Sequence, residues 1–522
     1  TLNNRAVLTS GNANADVVVG GNFTINANTT YTPGNNNTIF NGNGPQTFTN
    51  NGTLTNGFNN LDLSGKSDLT LNGAASLAVR GSLTLGKETI LRDNGRTLTV
   101  AGNIQNSGTH FRPATGAGRI ELTGNGNQIL SGDGAGSFNN LSVNKNGGSV
   151  TTDATVIING DLRLVSNHRF TIGNNTLKLG TDANIYSAAT GTAQVFTNNK
   201  MLVTGGLMSN GGVQKAFNST NSFLYPFGFA VGTTYYYLPA SLQFSEAPTV
   251  WGAVTSRPVH GRHHLAQGAN NALTAYWKTT SSGFEGIPAN SVVHTYAYAD
   301  AFVAGNESNY LPAVYNYGTA WRTINDVNLV NQATNVITFN AESNANGDYT
   351  AGLPSAFEGI PVLYSRTSGN WNAPTTWSTT GHSDEPGSVI PSGNTIVVIG
   401  EGHTVTMTAN GAAAGALFIS DGAVLDLVRT TGHNFAALPE ETVTGSGTLR
   451  IARTYFPRGD FGEFLGANGG IVEYYVSGGN AYTLPVASDV TLLPLTQYRN
   501  LIVNASGANI TLPNIDFTTA RP

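Results

Sequence analysis

The sequence contains no cysteine, so neither disulfide bonds nor thiolate metal sites can contribute to the stability or chemistry of this protein. Charged residues make up only 11% of the chain, and no stripe of lysine and arginine accompanies the net charge of −5. A surface that binds nucleic acid must neutralise phosphates, so we expect no nucleic-acid partner. No run of about 20 apolar residues is present, so we also expect no membrane insertion.

Glycine is abundant instead, at 64 of 522 residues, and asparagine and threonine occur in every segment. Long apolar stripes at helical spacing are missing, and this combination favours short strands joined by tight turns. The first residues, Thr1–Arg5, lack the charged and apolar regions of a signal peptide. Strand-like sequence continues almost to Pro522. We interpret the chain as a piece of a longer polypeptide.

A repeated Phe-Asn-Asn-Leu phrase is the clearest internal signal. It occurs at Phe58–Leu61, at Phe138–Leu141, 80 residues later, and in altered form at Tyr498–Leu501. Asparagine tolerates left-handed backbone, and its side-chain amide can hydrogen-bond to the next repeat of a stacked structure. We therefore interpret Asn60 and Asn140 as corner residues of a repeat architecture.

Apolar strand positions in residues 1–208 recur with a mean spacing of 20 residues. These positions are Leu63, Leu85, Ile104, Leu122, Val143, Leu164, Ile185 and Val203. A repeat of about 20 residues accommodates three short strands and three turns, which is one coil of a right-handed parallel β-helix. The alternation in Leu83-Thr84-Leu85 predicts that the leucines point inward. On this spacing the Phe-Asn-Asn-Leu phrase recurs every fourth coil.

The sequence predicts three all-β domains in an elongated array. Residues 1–208 form the parallel β-helix with coils of about 20 residues, and residues 209–357, where tryptophan and tyrosine concentrate, form a β-sandwich. Residues 358–522 return to short strands and the third copy of the phrase, which predicts a second parallel β-helix that continues beyond the chain end.

The combination of these repeats with Tyr225–Gly228, Gly347–Gly352, Gly369–Trp371 and Thr376-Trp377 resembles the very large surface proteins of Bacteroidota. Those proteins are adhesins or gliding-type filaments exported through the type IX pathway. The resemblance implies an extracellular, non-catalytic structural or adhesive segment of a cell-surface or secreted filament protein. Its implied partners are surface glycans or other cell-surface and secretion components, and no cofactor is implied.

An enzymatic alternative stays open, because parallel β-helices also form polysaccharide lyases and glycoside hydrolases. Two carboxylate pairs have the spacing of neighbouring coils, with a basic residue near each. They are Asp133 with Asp153 and Asp161 with Asp182, near Lys145 or Arg163. Stacked carboxylates could form an acid/base pair. Asp133 and Asp161, however, lie at ordinary turn positions, so we expect no catalytic residue.

Three histidines, His260, His263 and His264, form one tight cluster that could bind zinc in principle. His263 and His264 are adjacent, so on a strand their side chains would point in opposite directions, and Arg262 would repel a cation. We therefore expect a surface loop and no metal site.

The aromatic residues of the sandwich suggest a second alternative, a carbohydrate-binding module. Tyr236, Trp251, Trp277 and Trp321 could stack on sugar rings if they project from one exposed face. Core packing is the competing interpretation, because residues 235–237 are three consecutive tyrosines whose side chains must alternate between the two faces.

Overall fold

The computed structural model describes residues 1–11, 15–73, 76–111, 118–208, 211–268, 270–316, 321–359, 361–438, 442–466, 469–476, 481–487, 495, 497–505, 507–513 and 518–519. The chain divides into two compact units, 1–357 and 358–522. The prediction of an all-β fold built on a parallel solenoid is confirmed. Among these residues, no helix has the length and apolar character needed to cross a membrane.

Unit 1 begins with coils of three short strands each. Coils 1–3 contain β1 (Val7–Thr9), β2 (Val17–Val19), β3 (Phe23–Ile25), β4 (Thr30–Thr32), β5 (Asn37–Phe40), β6 (Pro45–Asn50), β7 (Thr53–Leu54), β8 (Asn60–Leu63) and β9 (Asp68–Gly73). Coils 4–6 contain β10 (Ser76–Val79), β11 (Leu83–Leu85), β12 (Ile90–Arg92), β13 (Thr97–Val100), β14 (Ile104–Asn106), β15 (Thr109–Phe111), β16 (Arg119–Leu122), β17 (Gln128–Ser131) and β18 (Ser137–Phe138). Coils 7–9 contain β19 (Leu141–Val143), β20 (Val150–Thr152), β21 (Val156–Ile158), β22 (Leu162–Leu164), β23 (Phe170–Gly173), β24 (Thr176–Leu179), β25 (Ile185–Tyr186), β26 (Leu202–Thr204) and β27 (Gly212–Ala216).

Corresponding strands of successive coils pair in parallel and form the faces of the solenoid. The second strands, β2 to β26, follow one another in one sheet, and the third strands, β3 to β27, follow one another in another. The first strands form the sheets β1-β4-β7 and β10-β13-β16-β19-β22-β25. Each strand buries alternate residues, so Leu83 and Leu85 point into the interior as predicted while Thr84 is partly exposed.

The coil repeat is longer than predicted. Leu77 pairs with Leu98, Leu98 with Ile120, and Leu162 with Ile185, so one coil takes 21, 22 or 23 residues at these positions. The predicted spacing of 20 residues is too short because it counts across two sheets. Ile104 lies in a second strand, whereas Leu122 lies in a first strand of the next coil.

The Phe-Asn-Asn-Leu phrase forms corners, but its two copies form different ones. In the first copy Phe58 pairs with Val79 beside the first-strand sheet, and Leu61 belongs to the second strand β8. In the second copy Phe138 belongs to the third strand β18, and Leu141 begins the first strand β19. The copies are therefore not separated by a whole number of coils, and the prediction of one phrase every fourth coil is wrong.

The second asparagine of the phrase joins neighbouring coils in the same way in both copies. Asn60 Oδ1 accepts a hydrogen bond from the backbone N–H of Ser82 (2.7 Å), and its Nδ2 donates to Asn37 Oδ1 (2.8 Å). Asn140 Oδ1 accepts from Asp161 N–H (2.9 Å), and its Nδ2 donates to the carbonyl of Gly118 (2.9 Å). These asparagines act through their amides, which satisfy polar groups at the corners of adjacent coils.

The glycine opposite each of these asparagines leaves room for the amide. A Cβ on Gly81 would lie 2.1 Å from Asn60 Oδ1, and a Cβ on Gly160 would lie 2.4 Å from Asn140 Oδ1. Real Cβ atoms do not approach an oxygen this closely, so the asparagine and the glycine form one unit. This pairing explains why both copies of the phrase are followed, one coil later, by Gly-Xaa-Leu-Xaa-Leu.

The antiparallel part of unit 1 consists of two layers. Its strands are β28 (Phe223–Tyr225), β29 (Phe227–Val231), β30 (Thr234–Tyr237), β31 (Ala240–Phe244), β32 (Ala253–His260), β33 (Ala275–Ser282), β34 (Val292–Ala297), β35 (Leu311–Tyr315), β36 (Trp321–Thr323), β37 (Val330–Asn331), β38 (Val336–Glu342) and β39 (Gly347–Gly352). Short 3₁₀ helices in unit 1 span Asp300–Phe302, Glu307–Asn309, Val327–Leu329 and Pro354–Phe357. One layer, β32-β33-β39-β35-β36, continues the sheet of the third strands, and the other is β28-β31-β34-β38-β37.

Aromatic side chains fill the space between the two layers. Trp277 on β33 stacks on Tyr296 on β34 with ring centroids 4.9 Å apart, and Tyr349 on β39 meets Phe339 on β38 edge-on at 4.9 Å. All four side chains are buried. Because rings from facing sheets interdigitate, this segment is a β-sandwich.

Unit 2 is a second parallel solenoid with less regular coils. Its strands are β40 (Val362–Ser365), β41 (Gly369–Asn370), β42 (Trp377–Ser378), β43 (Ile396–Ile399), β44 (Thr404–Thr406), β45 (Ala416–Ile419), β46 (Val424–Asp426), β47 (Val443–Thr444), β48 (Thr448–Ile451), β49 (Ile471–Tyr475), β50 (Tyr482–Thr483), β51 (Gln497–Tyr498), β52 (Asn500–Asn504), β53 (Ile510–Thr511) and β54 (Thr518–Thr519). A 3₁₀ helix spans Pro374–Thr376, and the short helix α1 spans Gly462–Leu465. The third copy of the phrase leads into β52, which pairs in parallel with β49.

The asparagine–glycine unit yields a test by double-mutant cycle. We expect Gly81→Ala to destabilise unit 1 by about 1–3 kcal/mol, because the new Cβ collides with the Asn60 amide. In the double variant Asn60→Ala/Gly81→Ala most of that collision is relieved, so the two effects should sum to less than expected, with a coupling of about 0.5–3 kcal/mol. Urea denaturation measures the free energies, and Gly21→Ala, whose Cβ would meet no atom within 4 Å, is the matched control. Strict additivity would contradict the assignment.

The inward and outward positions of one strand yield a second test. Ile104 is buried and Gln105, the next residue of β14, is exposed. We expect Ile104→Asp to cost more than the about 2–5 kcal/mol typical of truncating a buried aliphatic side chain, because it also buries a carboxylate. Gln105→Asp should change stability by less than about 0.5 kcal/mol. Hydrogen exchange measured by mass spectrometry should show loss of protection around coil 5 in the first variant only.

Candidate functional site

Trp277, one of the predicted sugar-stacking residues, belongs to the core. Its side chain is fully buried, its Nε1 donates to the carbonyl of Leu238 (2.9 Å), and its ring stacks on Tyr296. The prediction of a ligand-binding role is wrong for this residue, because strand β33 directs it into the space between the two layers. A buried ring has no free face for a sugar.

The other three predicted aromatic residues are partly exposed, but each packs in a different aromatic cluster. Tyr236 meets Phe302 (4.8 Å between centroids), Trp251 meets Phe244 (5.5 Å), and Trp321 meets Phe357 (4.8 Å). A stacking platform needs coplanar rings on one surface. The structure does not bring these three residues together, so a shared aromatic binding face is unsupported.

The histidine cluster is largely buried, in contrast to the surface loop expected from the sequence. His263 is only 1% exposed and its Nε2 lies 3.0 Å from Asp348 Oδ2. His264 stacks on it with ring centroids 4.4 Å apart instead of pointing away, and burial lowers the pKa of His264 to about 3. The carboxylate on β39 explains this burial. In the part of the chain described above, no three His, Asp or Glu side chains are arranged to hold a metal ion.

A second buried histidine–aspartate pair lies inside the solenoid and was not predicted. His110 Nε2 lies 3.0 Å from Asp93 Oδ2, and both side chains are fully shielded from solvent. Gly95 N–H also donates to Asp93 Oδ1 (2.8 Å). The signal in the sequence is the alternation of β15, since His110 occupies the inward position between Thr109 and Phe111.

The ring nitrogens of both paired histidines are already occupied. Leu265 N–H donates to His263 Nδ1 (3.2 Å) and Asn139 N–H donates to His110 Nδ1 (3.3 Å). Each neutral ring therefore carries its proton on Nε2 and donates it to the carboxylate. A histidine acting as a general base needs a ring nitrogen directed at the substrate. These two pairs therefore hold the fold together.

The carboxylates of the enzymatic alternative do not face each other. Strands β17 and β20 align Leu130 with Thr152, which places Asp153 level with Ser131 and two residues short of Asp133. Asp133 Oδ1 accepts the backbone N–H groups of Ala135 (2.9 Å) and Gly136 (3.2 Å). These hydrogen bonds, that of Ala135 first, lower the pKa of Asp133, as in an ordinary aspartate turn.

The second carboxylate pair is also divided between separate partners. Asp161 forms an ion pair with Arg163 (3.2 Å), whereas Asp182 Oδ1 accepts from Asn218 Nδ2 (2.9 Å). Lys145 is buried, and its Nζ donates to Gln128 Oε1 (2.6 Å) and to the carbonyl of Gly126 (2.8 Å). Desolvation lowers the pKa of Lys145, but its ammonium is committed to the preceding coil.

Comparison of the chain with protein-family models, with curated proteins and with solved structures gave no match. The fold and the side-chain arrangements therefore stand on the residues of this chain alone.

The sandwich core contains a third buried histidine, His294, that makes stability depend on pH. Its Nδ1 lies 3.0 Å from the Tyr296 hydroxyl and its Nε2 lies 3.2 Å from the Tyr349 hydroxyl. Desolvation lowers the pKa of His294 from 6.5 to about 3. Between these values the unfolded chain binds a proton that the folded chain does not, so stability falls as the pH decreases.

We expect the free energy of unfolding of unit 1 to fall between pH 6.5 and 3, and the His294 contribution to amount to about 1.4 kcal/mol per pH unit. His294→Gln should lower stability at pH 7 by loosening the tyrosine contacts but should make this pH dependence shallower. Denaturation curves at a series of pH values measure the slope. His260→Gln, at an exposed position, is the control and should leave the slope unchanged. An equal slope in His294→Gln would refute the assignment.

Proposed function

We propose that the chain is a non-catalytic structural and adhesive segment of a large bacterial cell-surface or secreted filament protein. The extracellular location and export through the type IX pathway follow from the resemblance to the Bacteroidota surface proteins. Surface glycans or other cell-surface and secretion components are the proposed partners. The mechanical role is argued from the fold.

The observation that supports this role is the continuity of two sheets from the coils into the sandwich. Strand β27 pairs in parallel with β24 of the solenoid and antiparallel with β32 of the sandwich. Strand β29 likewise pairs in parallel with β26 and antiparallel with β30. Force applied across this junction acts on hydrogen-bonded ladders and on one shared apolar core instead of a flexible linker. Such a junction suits a segment that transmits load.

Side chains on the outside of the solenoids also join successive coils. Arg92 forms two hydrogen bonds to Asp68 of the preceding coil (2.6 and 2.9 Å). In unit 2, Arg450 bridges Asp426 (3.2 Å) and Glu473 (2.8 Å), which lie in the coils on either side of it. Partly exposed ion pairs contribute only about 0–1 kcal/mol each, so they add register more than strength. The ladders and the buried core, at about 1.5–3 kcal/mol per large side chain, carry most of the stability.

Single-molecule pulling tests the mechanical role. Because the chain has no cysteine, the pair Thr1→Cys and Ser355→Cys gives specific attachment points around unit 1. We expect unfolding at forces above those of a helical domain fused in the same molecule. The extension should include steps of about 75 Å, the length that about 22 residues release at about 3.3–3.6 Å per residue.

Matched variants and two further assays separate the parts of this proposal. Ile104→Asp should lower the unfolding force and Gln105→Asp should not. Unfolding of wild-type unit 1 below the helical reference would argue against a load-bearing role. Antibodies against the chain should label intact cells of the source organism, and an exclusively internal signal would contradict the location. Turnover of an acidic polysaccharide that disappears in Asp133→Asn/Asp153→Asn would overturn the non-catalytic assignment.

A further inference from the structure

A cavity of about 320 Å³ lies where the last coil of unit 1 meets the sandwich. One wall is the turn that follows β24 and contains Thr181, Asp182 and Asn184. The other is the segment 217–223, which connects β27 to β28. This volume falls at the lower end of the range of small-molecule sites, which is about 300–1,000 Å³. It is large enough for one or two sugar rings.

The positive charge at the base of this cavity is already neutralised by hydrogen bonds. Lys215 Nζ donates to the carbonyls of Gly180 (2.7 Å), Thr181 (2.6 Å) and Ala183 (2.8 Å). An ammonium has three donors, so all of them are used. Lys215 therefore holds the turn that carries Asp182 in place and has no donor left for an anionic ligand.

The rim of the cavity offers both donors and acceptors. Asp182 Oδ1 accepts from Asn218 Nδ2 (2.9 Å), and this bond directs the two side chains toward each other across the rim. Asn221 and Ser219 complete the rim and are accessible to solvent. Ser222 Oγ lies 2.8 Å from Ser241 Oγ, which ties the segment 217–223 to strand β31. Carboxylate, amide and hydroxyl groups together match a ligand whose hydroxyls donate and accept at the same carbon.

The inner wall of the cavity is apolar. Phe217 and Phe223 line it with ring centroids 6.3 Å apart in an edge-to-face arrangement. A mostly buried aromatic wall beneath a polar rim favours a ligand with an apolar C–H face and polar edges. Pyranose sugars have this character, whereas phosphates and peptides with a net negative charge do not.

We infer that this cavity binds a neutral saccharide, with one or two pyranose rings held between Asp182, Asn218 and Asn221 above Phe223. The site is separate from the aromatic residues Tyr236, Trp251 and Trp321. It adds recognition to the proposed load-bearing segment and does not depend on that role, since an unloaded protein would bind in the same way.

The test uses the full chain on an array of neutral and acidic oligosaccharides built from glucose, galactose, mannose and N-acetylhexosamines. The tightest neutral binder is then titrated by calorimetry. We expect Asp182→Ala and Asn221→Ala each to weaken binding about tenfold or more, equivalent to about 1.4 kcal/mol. Both positions are exposed, so thermal unfolding should stay unchanged. Asp421→Ala, in the corresponding turn of unit 2, and Trp321→Ala should bind like the wild type.

Several outcomes would overturn the inference. They are no binding to any neutral saccharide at millimolar concentration, preference for acidic over neutral sugars, and binding that survives both Asp182→Ala and Asn221→Ala. Loss of binding in Trp321→Ala alone would move recognition to the sandwich aromatics and refute this cavity as the site. Each outcome can be told apart from failure of the mechanical proposal, because unfolding force is measured in the absence of sugar.

Discussion

The pairing of each coil with the coil before it is the constraint on which the rest of this structure depends. Parallel strands hydrogen-bond only if their registers agree, and the corners between them leave backbone groups that no strand satisfies. In this chain the corners are satisfied by side chains of adjacent coils. Asn60 and Asn140 do so with amides, and Lys215 does so with its ammonium. The need to cap every corner explains the abundance of asparagine and the glycines opposite it.

The same constraint assigns the buried polar groups to the fold. Gln128 donates to the carbonyls of Val100 (2.9 Å) and Gly102 (2.6 Å) and accepts from Lys145, so three coils meet at one side chain. His110 and Asp93 likewise satisfy each other inside the solenoid. An unsatisfied buried polar group costs about 1–3 kcal/mol, so such groups are kept in matched sets. A buried polar pair in this fold is therefore first a structural feature, and recognition is to be sought where regular coils end.

The end of the coils is where the solenoid changes into the sandwich. Strand β27 pairs in parallel on one side and antiparallel on the other, so the chain between β27 and β28 must leave the coil path. This departure opens the cavity beside Asp182 and Asn218. Load transmission and recognition thus have different physical bases in unit 1: continuous ladders for the first, and the interruption of coil geometry for the second.

The sequence by itself determined the all-β class, the coil of three strands and the inward leucines, because alternation and turn residues act over a few positions. It also indicated the corner role of Asn60. Only the tertiary structure decided the true coil length, the burial of Trp277 and His263, and the cavity. The 21–23-residue repeat depends on which sheet each strand joins. His263 is buried because Asp348, 85 residues away, lies opposite it. Such contacts between distant segments leave no local pattern, since the partners meet only after the sheets have formed.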